Sequence, residues 1–248
     1  MKLFDLTGKK ALVTGAGNAK GLARAMAQGL KEAGADVAIL DLASAVFDIA
    51  QEDGFIPVQA NLADRDELKR GFSMAVEELG TLDILINSHG IQRRHKAELF
   101  PLVDWDAVIE VNLTSVFQLC QLAAHIMLEK GCGKIINMAS LLSFSGGIMV
   151  PAYTASKAGV AQLTKALANE WAGRGINVNA IAPGYMATEM IAALVDDPVR
   201  SHQILERIPA GRWGTPKDVK GIAVFLASCA SDYMHGTVIP VDGGWLSR

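Results

Sequence analysis

Tyr153 and Lys157 are four residues apart in a segment with helical periodicity, so their side chains should project from one face of a helix. A phenol is a poor base at neutral pH, because its reference pKa is about 10. A nearby lysine cation favours tyrosinate, and we therefore expect Lys157 to lower the pKa of Tyr153. The pair could then move a proton to or from a substrate hydroxyl group.

Two further polar residues could complete such a site. Ser140 follows an apolar run that predicts a strand, at the edge where open α/β sheets bind ligands, and its hydroxyl group could hold the reacting oxygen. Asn112, within a long predicted helix, could hold a water behind Lys157. Structural alternatives remain open for each motif: a Tyr-x-x-x-Lys pair is often only solvated, and Asn112 could satisfy a buried carbonyl.

A glycine-rich turn, Thr14–Gly21 (TGAGNAKG), lies between the first predicted strand and the first predicted helix. Glycines there allow the backbone to approach a pyrophosphate, which the helix N-terminus attracts. Asp41 lies 20 residues beyond Gly21, where a carboxylate can accept both ribose hydroxyls of NAD and would repel a 2′-phosphate. The pattern predicts an NAD site, with NADP not excluded; an ordinary glycine-rich turn is the alternative.

Short apolar runs alternate along the chain with longer segments of helical periodicity, which favours a parallel sheet covered by helices on both faces. The predicted strands are 10–14, 36–41, 55–60, 82–87, 134–138, 177–182 and 238–241. The predicted helices are 21–33, 64–79, 105–130, 154–172 and 217–228. We expect an α/β fold: a single-domain doubly wound parallel sheet of the Rossmann type over 1–248, with 185–214 as a small helical substrate lid.

Composition excludes several function classes. Half of the 248 residues are hydrophobic, which supports a large core, and the net charge of −3 without a basic run argues against nucleic-acid binding. Three scattered cysteines predict neither a disulfide framework nor a metal site. The absence of an apolar signal segment and of an 18-residue apolar run predicts a cytoplasmic protein without a membrane span.

With these motifs in order, the sequence resembles the short-chain dehydrogenase/reductase family over essentially its whole length. The resemblance rests on the glycine turn, on Asn87-Ser88-His89-Gly90 after the fourth predicted strand, on Pro183-Gly184 with Thr188, and on four polar residues in family spacing: Asn112, Ser140, Tyr153 and Lys157. It implies that Tyr153 is the general acid/base and that Ser140 orients the substrate oxygen. It further implies that Lys157 holds the nicotinamide ribose and that Asn112 anchors a relay water.

The resemblance also implies a set of residues that would bind the nicotinamide cofactor. These are Gly15, Gly17, Asn18, Ala19, Lys20, Gly21, Asp41, Leu42, Asn61, Leu62, Ser88, His89, Gly90, Tyr153, Lys157, Pro183, Gly184, Met186 and Thr188. Five positions depart from the family pattern: Ala19 replaces a glycine, Lys20 an isoleucine, Asn61 an aspartate, and Ser88-His89 an Asn-Ala pair. We interpret His89 as a packed, hydrogen-bonded residue, because Tyr153 already fills the acid/base role.

Other runs resemble the sugar-acid dehydrogenases of this family, which act on 2-dehydro-3-deoxy-D-gluconate, 2-deoxy-D-gluconate or gluconate. They include Ile91–Arg94 (IQRR), Arg207–Gly214 (RIPAGRWG) and Val241–Arg248 (VDGGWLSR). Arg93 and Arg94 follow the fourth strand, and a guanidinium can bind a carboxylate through two hydrogen bonds. The expected substrate contacts are Gln92, Arg93, Arg94, Ser140, Leu142 and Tyr153. The alternative is that both arginines lie on the surface or at a subunit contact.

Two other functions compete with a sugar-acid oxidoreductase. One is a ketoacyl or steroid-type reductase on the same scaffold, for which an NADPH preference and a long apolar pocket would speak. The other is a non-catalytic nucleotide-binding protein, which would have no need of Tyr153 and Lys157 together. The family resemblance further implies a homotetramer, and the apolar positions around helices 105–130 and 154–172 are consistent with burial against a partner copy.

Overall fold

A parallel sheet of seven strands, in the order β3-β2-β1-β4-β5-β6-β7, forms the centre of the computed structural model, which describes residues 2–189, 194 and 196–248. The strands are β1 (Lys10–Thr14), β2 (Asp36–Asp41), β3 (Ile56–Gln59), β4 (Ile84–Asn87), β5 (Gly133–Met138), β6 (Ile176–Pro183) and β7 (Val238–Val241). All their pairings are parallel. The strand order reverses between β1 and β4, which confirms the doubly wound fold and locates the ligand crevice of such sheets.

Helices cover both faces of the sheet. They are α1 (Leu22–Glu32), α2 (Ala45–Asp53), α3 (Arg65–Leu79), α4 (Leu102–Ile109), α5 (Ser115–Lys130), α6 (Pro151–Trp171), α7 (Pro198–Leu205) and α8 (Lys220–Ala227). Successive strand residues point to opposite faces: Val13 packs in one apolar core with α1, α2 and α8, and Leu12 packs in the other with α3, α5 and α6. Burial on both faces explains why the strands are continuously apolar.

Most predicted elements are present within three residues of their expected ends, and three helical regions differ. Helix α2 was not predicted, although Val46, Ile49 and Ala50 are buried at helical spacing before a left-handed Gly54. The predicted helix 105–130 is interrupted by a π-helical turn, Glu110–Thr114. The predicted helix 217–228 begins with a 3₁₀ turn, Pro216–Val219, before α8.

The helical stretch Leu102–Lys130 is long and apolar enough to cross a membrane by length and composition alone, which differs from the expectation that no such run exists. However, 44% of its apolar window is buried inside the protein. Leu119 and Cys120 of α5 pack in the core against the sheet. Because core helices pass the same test, the stretch is weak evidence for a membrane span.

The predicted lid, 185–214, contains α7, and residues 190–193 and 195 of it lie outside the described residues. Asp197 caps the N-terminus of α7 by accepting hydrogen bonds from the Val199 and Arg200 amides. Ile204 and Ile208 are buried in a small apolar cluster with Leu141 and Trp245. The lid is therefore held to the sheet edge by apolar contacts of its own.

His89, which follows β4, is buried, and its imidazole ring contacts the end of β1 and the start of α5. Nδ1 lies 2.6 Å from the Thr14 hydroxyl at the end of β1, and Nε2 lies 2.7 Å from the Ser115 hydroxyl at the start of α5. The Ser115 hydroxyl donates to the Val111 carbonyl at 2.6 Å, so it can only accept from Nε2–H. His89 is therefore a neutral, hydrogen-bonded residue, in agreement with its expected structural role.

Stability should fall in mild acid because of His89. Burial, with a smaller contribution from the Lys157 cation, lowers the pKa of His89 from 6.5 to about 3. Below pH 6.5 the unfolded chain binds a proton at this histidine that the folded chain does not bind. The stabilisation is therefore complete above pH 6.5 and is lost as the pH falls toward 3. We expect a loss of about 2 kcal/mol between pH 7.5 and pH 5, measured by urea unfolding.

The control for this measurement is His89→Gln, which can hydrogen-bond at the same position and cannot titrate. Its free energy of unfolding should depend less steeply on pH than that of the wild type. Equal slopes for the two proteins between pH 7.5 and pH 5 would show that His89 is not responsible.

Candidate functional site

A cavity of about 680 Å³ opens at the carboxyl ends of the strands. The predicted cofactor residues that line it are Gly15, Asn18, Gly21, Asp41, Leu42, Asn61, Leu62, Ser88, His89, Gly90, Tyr153, Lys157, Pro183, Gly184, Met186 and Thr188. The predicted substrate residues that line it are Gln92, Arg94, Ser140, Leu142 and Tyr153. A second depression, of about 830 Å³, is lined by Lys2, Phe4 and α8 residues and carries none of this chemistry.

The glycine turn and Asp41 depend on each other. Gly17 N–H donates to Asp41 Oδ2 at 2.8 Å, and a Cβ on Gly17 would lie 2.5 Å from the Asp41 carboxyl carbon. Gly15 has a φ of +80°, and a Cβ there would lie 2.6 Å from the His89 backbone. These positions therefore require glycine because of close packing. Gly17 supports Asp41 from behind rather than lining the cavity.

The turn fits the pyrophosphate of a dinucleotide. Helix α1 begins after Gly21, which offers no side chain to cap the free N–H groups of the first turn. Leu22 and Ala23 of that turn line the cavity, so the positive end of the helix dipole faces the space where an anion would lie. Ala19 and Lys20, expected at the cofactor, are not among the lining residues.

Asn18 connects the turn to the segment after β6. Its Nδ2 donates to Glu189 Oε2 at 2.8 Å, and its Oδ1 accepts from Lys20 N–H at 2.8 Å. The side chain thus bridges the two walls of the cavity at its cofactor end. This contact between distant parts of the chain could not be read from the motif.

Tyr153 lies in the first turn of α6, and Lys157 follows one turn later, as their spacing predicted. Lys157 Nζ lies 5.8 Å from the centre of the Tyr153 ring and donates to the Met138 carbonyl at 2.7 Å. Burial lowers the pKa of Lys157 to about 8. Burial also raises the pKa of Tyr153, and a hydrogen bond with Ser140 opposes this. The expectation that Lys157 lowers the Tyr153 pKa is wrong for this structure, because desolvation dominates.

Ser140 caps a 3₁₀ turn, Leu141–Ser143, directly after β5. Ser143, which the sequence interpretation missed, orients it: Ser140 N–H donates to Ser143 Oγ at 3.2 Å. The Ser143 hydroxyl in turn donates to the Lys157 carbonyl at 2.7 Å. One serine thus connects the end of β5 to α6. The spacing Ser-x-x-Ser was the available signal, because it is compatible with a capping box.

Asn112 lies in the π-helical turn and binds the backbone of Ile91. Its Oδ1 accepts from Ile91 N–H at 2.8 Å, and its Nδ2 donates to the Ile91 carbonyl at 2.9 Å and to Ser156 Oγ at 3.2 Å. The side chain is not among the cavity-lining residues, so it corresponds to the structural alternative for this residue. Its expected role in holding a relay water stays a prediction.

The substrate end of the cavity is strongly basic. Arg94, Arg200 and Arg207 line it, and Asp41, at the cofactor end, is the only acidic residue among the described lining residues. Arg93, expected with Arg94, is instead directed to Asp104, with 3.6 Å between Nε and Oδ1, and does not line the cavity. This corrects the prediction for Arg93.

Arg200 and Arg207 were not predicted, since the lid brings them to the cavity from far along the chain. Arg207 begins the run RIPAGRWG, which resembles the sugar-acid dehydrogenases, but this resemblance implies no role for the residue. The described residues contain no group of three or more His, Cys, Asp or Glu side chains that could hold a metal ion. The three cysteines are free thiols.

Comparison with known proteins shows which family the chain resembles. A family model described as enoyl-(acyl carrier protein) reductase matches residues 15–246. The 2-dehydro-3-deoxy-D-gluconate 5-dehydrogenase of Bacillus subtilis is 51% identical, covering 99% of this chain and 97% of the relative. The enzyme of the same name from Escherichia coli is 49% identical, covering 100% and 99%.

Solved structures agree in fold and in cofactor class. An Agrobacterium tumefaciens structure, described provisionally as a 2-deoxy-D-gluconate 3-dehydrogenase with bound NADP, has 50% identity and a TM-score of 0.92, each chain being covered completely. A Beutenbergia cavernae structure, described provisionally as an NAD(P)-dependent gluconate 5-dehydrogenase with NADP, has 45% identity and a TM-score of 0.95, covering 99% and 100%. The chain therefore belongs to the short-chain dehydrogenase/reductase family of NAD(P)-dependent oxidoreductases.

Proposed function

We propose that the protein is a sugar-acid dehydrogenase that transfers a hydride between NAD(P) and a hydroxyl or keto group, with 2-dehydro-3-deoxy-D-gluconate or 2-deoxy-D-gluconate as substrate. The observation that carries the proposal is one cavity that joins Ser140, Tyr153 and Lys157 to an end lined by three arginines. A sugar acid brings a hydroxyl group for the first set and a carboxylate for the second. The names of the B. subtilis and E. coli relatives support carbon 5 as the reacting carbon.

Each residue of the site has a separate task in the proposed reaction. When bound, the cofactor accepts or supplies the hydride. Ser140 donates a hydrogen bond to the substrate oxygen, and Tyr153 takes the hydroxyl proton during oxidation or returns it during reduction. Lys157, one turn farther along α6 and in the same cavity, would hold the nicotinamide ribose of the bound cofactor. The reaction therefore depends on Tyr153 and Lys157 remaining on the same side of α6.

Tyr153→Phe should abolish turnover and leave cofactor binding nearly unchanged. Loss of the proton-transferring hydroxyl should lower kcat by about 100-fold or more. The measurement is oxidation or reduction of sugar acids by the purified enzyme, with 2-dehydro-3-deoxy-D-gluconate, 2-deoxy-D-gluconate and D-gluconate in parallel. Tyr233→Phe, at a fully exposed tyrosine, is the matched control.

A neutral polyol and a 3-hydroxyacyl thioester complete the panel for this experiment. Activity confined to the thioester would reject a sugar acid and favour a ketoacyl-type reductase. Full activity of Tyr153→Phe would reject the catalytic assignment. The basic end of the cavity argues against a long acyl chain, because an apolar tail would leave the arginines desolvated without an anion.

For the cofactor, we propose that either NAD or NADP binds and that Asp41 makes NAD the preferred cofactor. NADP in the A. tumefaciens and B. cavernae structures supports the second form. In this chain the Asp41 carboxylate accepts from Gly17 N–H and, at 2.9 Å, from Ala43 N–H, so it is held at the cavity wall. A 2′-phosphate at this wall would meet a negative charge.

Asp41→Asn should therefore raise the ratio of kcat/KM for NADP to that for NAD by about tenfold, which corresponds to about 1.4 kcal/mol of relieved repulsion. Steady-state kinetics with each cofactor at saturating sugar acid provide the ratio. Asp36→Asn, at the opposite end of β2, is the control and should leave it unchanged. An unchanged ratio in Asp41→Asn would remove this residue from cofactor selection.

We also propose that residues 1–248 form one dehydrogenase domain in a cytoplasmic homotetramer. Apolar side chains on and beside α4 and α5 are exposed in the single chain, among them Leu99, Leu102, Val103 and Phe117. An exposed apolar face of this kind fits a contact with another copy.

Light scattering should accordingly give the mass of four chains for the wild type. Phe117→Glu should reduce that mass, because it buries a charge in the contact. Phe47→Glu, at an equally exposed phenylalanine on α2, is the control. A monomeric wild type would reject the tetramer.

A further inference from the structure

We propose that Arg207, stacked on the indole ring of Trp245, is the residue that binds the substrate carboxylate and selects sugar acids over neutral polyols. This inference rests on the proposed function for the substrate class. It adds the residue that recognises the acid group and the part of the chain that holds this residue in place.

The first support is the fixed position of Arg207. It lies just after α7, between Ile204 and Ile208, which are 7% and 4% exposed. Both isoleucines pack with Leu141, the residue after Ser140, and with Trp245. The backbone at Arg207 is therefore tied by apolar contacts to the residue next to the catalytic serine.

The second support is the orientation of the guanidinium. Its central carbon lies 4.1 Å from the centre of the Trp245 ring, and that ring lies 4.7 Å from the Tyr185 ring. Stacking on an aromatic face leaves the N–H groups at the edge of the guanidinium open to a planar carboxylate. Trp245 and Tyr185 line the same cavity as Arg207 and pack in one apolar cluster with Leu141, which places this edge near Ser140.

The third support is that Arg207 is not paired with a carboxylate among the described residues, whereas two nearby arginines are. Arg93 is directed to Asp104, and Arg212 binds both oxygens of Asp218. Arg207, like Arg94 and Arg200, forms no salt bridge within the described part of the chain.

Arg94 and Arg200 also line the cavity, but no aromatic ring holds either of them among the described residues. They add positive charge to this end without the same fixed geometry. Arg207 is therefore the cation best prepared to bind an anion, because stacking on Trp245 leaves it less side-chain freedom to lose on binding than the other two arginines.

The experiment compares D-gluconate with D-sorbitol, which replaces the carboxylate by a hydroxymethyl group. Binding is measured by calorimetry to the full-length enzyme saturated with reduced cofactor, so that neither alcohol can be oxidised. Arg207→Met should weaken gluconate binding by about 10- to 100-fold and leave sorbitol binding unchanged, as expected for loss of a charged hydrogen-bonded pair. Arg207→Lys should give a smaller loss, since an ammonium lacks the planar fork.

One further variant tests whether Trp245 holds Arg207 in place, and another serves as a control. Trp245→Leu should reduce the preference for gluconate by a smaller factor, with folding checked by thermal unfolding. Arg174→Met is the control, because this arginine precedes β6 at the opposite edge of the sheet, and it should change neither affinity.

Three outcomes would overturn the proposal: no binding of gluconate to the wild type, equal losses for gluconate and sorbitol in Arg207→Met, or a selective loss in Arg94→Met with none in Arg207→Met. Turnover of the sugar-acid panel is read separately. Turnover of a sugar acid, without a selective loss of gluconate binding in Arg207→Met, would contradict only the role assigned to Arg207. Selective loss without turnover of any sugar acid would contradict the proposed function and retain the anion site.

Discussion

The attachment of α6 to the end of β5 is the contact on which the catalytic geometry depends. Lys157 donates from its buried ammonium to the Met138 carbonyl, and Ser143 donates to the Lys157 carbonyl while accepting from the Ser140 amide. Ser140 stands on the strand side of this contact and Tyr153 on the helix side. If the two elements separated, Ser140 would no longer face Tyr153, and the proposed orientation of the substrate oxygen and transfer of its proton would be lost together. The Lys157 hydrogen bond is buried and the two hydrogen bonds of Ser143 are partly buried, so their loss would also leave polar groups unpaired away from water.

The two ends of the cavity differ in charge, and this difference favours a different ligand at each end. The cofactor end holds the free N–H groups of α1 and the Asp41 carboxylate, whereas arginines line the substrate end. In the proposed reaction the dinucleotide and the sugar acid, which both carry negative charge, would bind at opposite ends with the reacting atoms between them. A single doubly wound domain can thus bind both ligands, because the strand ends and the lid meet at one edge of the sheet.

His89 shows how a departure from the family pattern is accommodated. The imidazole replaces a small side chain beneath the glycine turn, and hydroxyl groups of Thr14 and Ser115 satisfy both of its nitrogens. The same burial that holds the ring neutral makes the free energy of unfolding depend on pH below about 6.5. The residues of a family motif can therefore differ while the backbone of the glycine turn above them keeps its conformation.

The strands, the glycine turn, Asp41 and the shared helix face of Tyr153 and Lys157 could be predicted from the sequence, because strand burial and helical spacing are local properties. The sequence was less informative for α2, whose nine residues give a short periodic signal, and for Asn112, whose partners on Ile91 and Ser156 come from other elements. Tertiary packing was needed to show that Arg93 is directed to Asp104 and that Arg200 and Arg207 join the predicted Arg94 in lining the cavity. The direction of the Tyr153 pKa was likewise a tertiary result. The physical reason is the same in each case: desolvation and ion pairing depend on which distant residues surround a group, and spacing along the chain does not specify them.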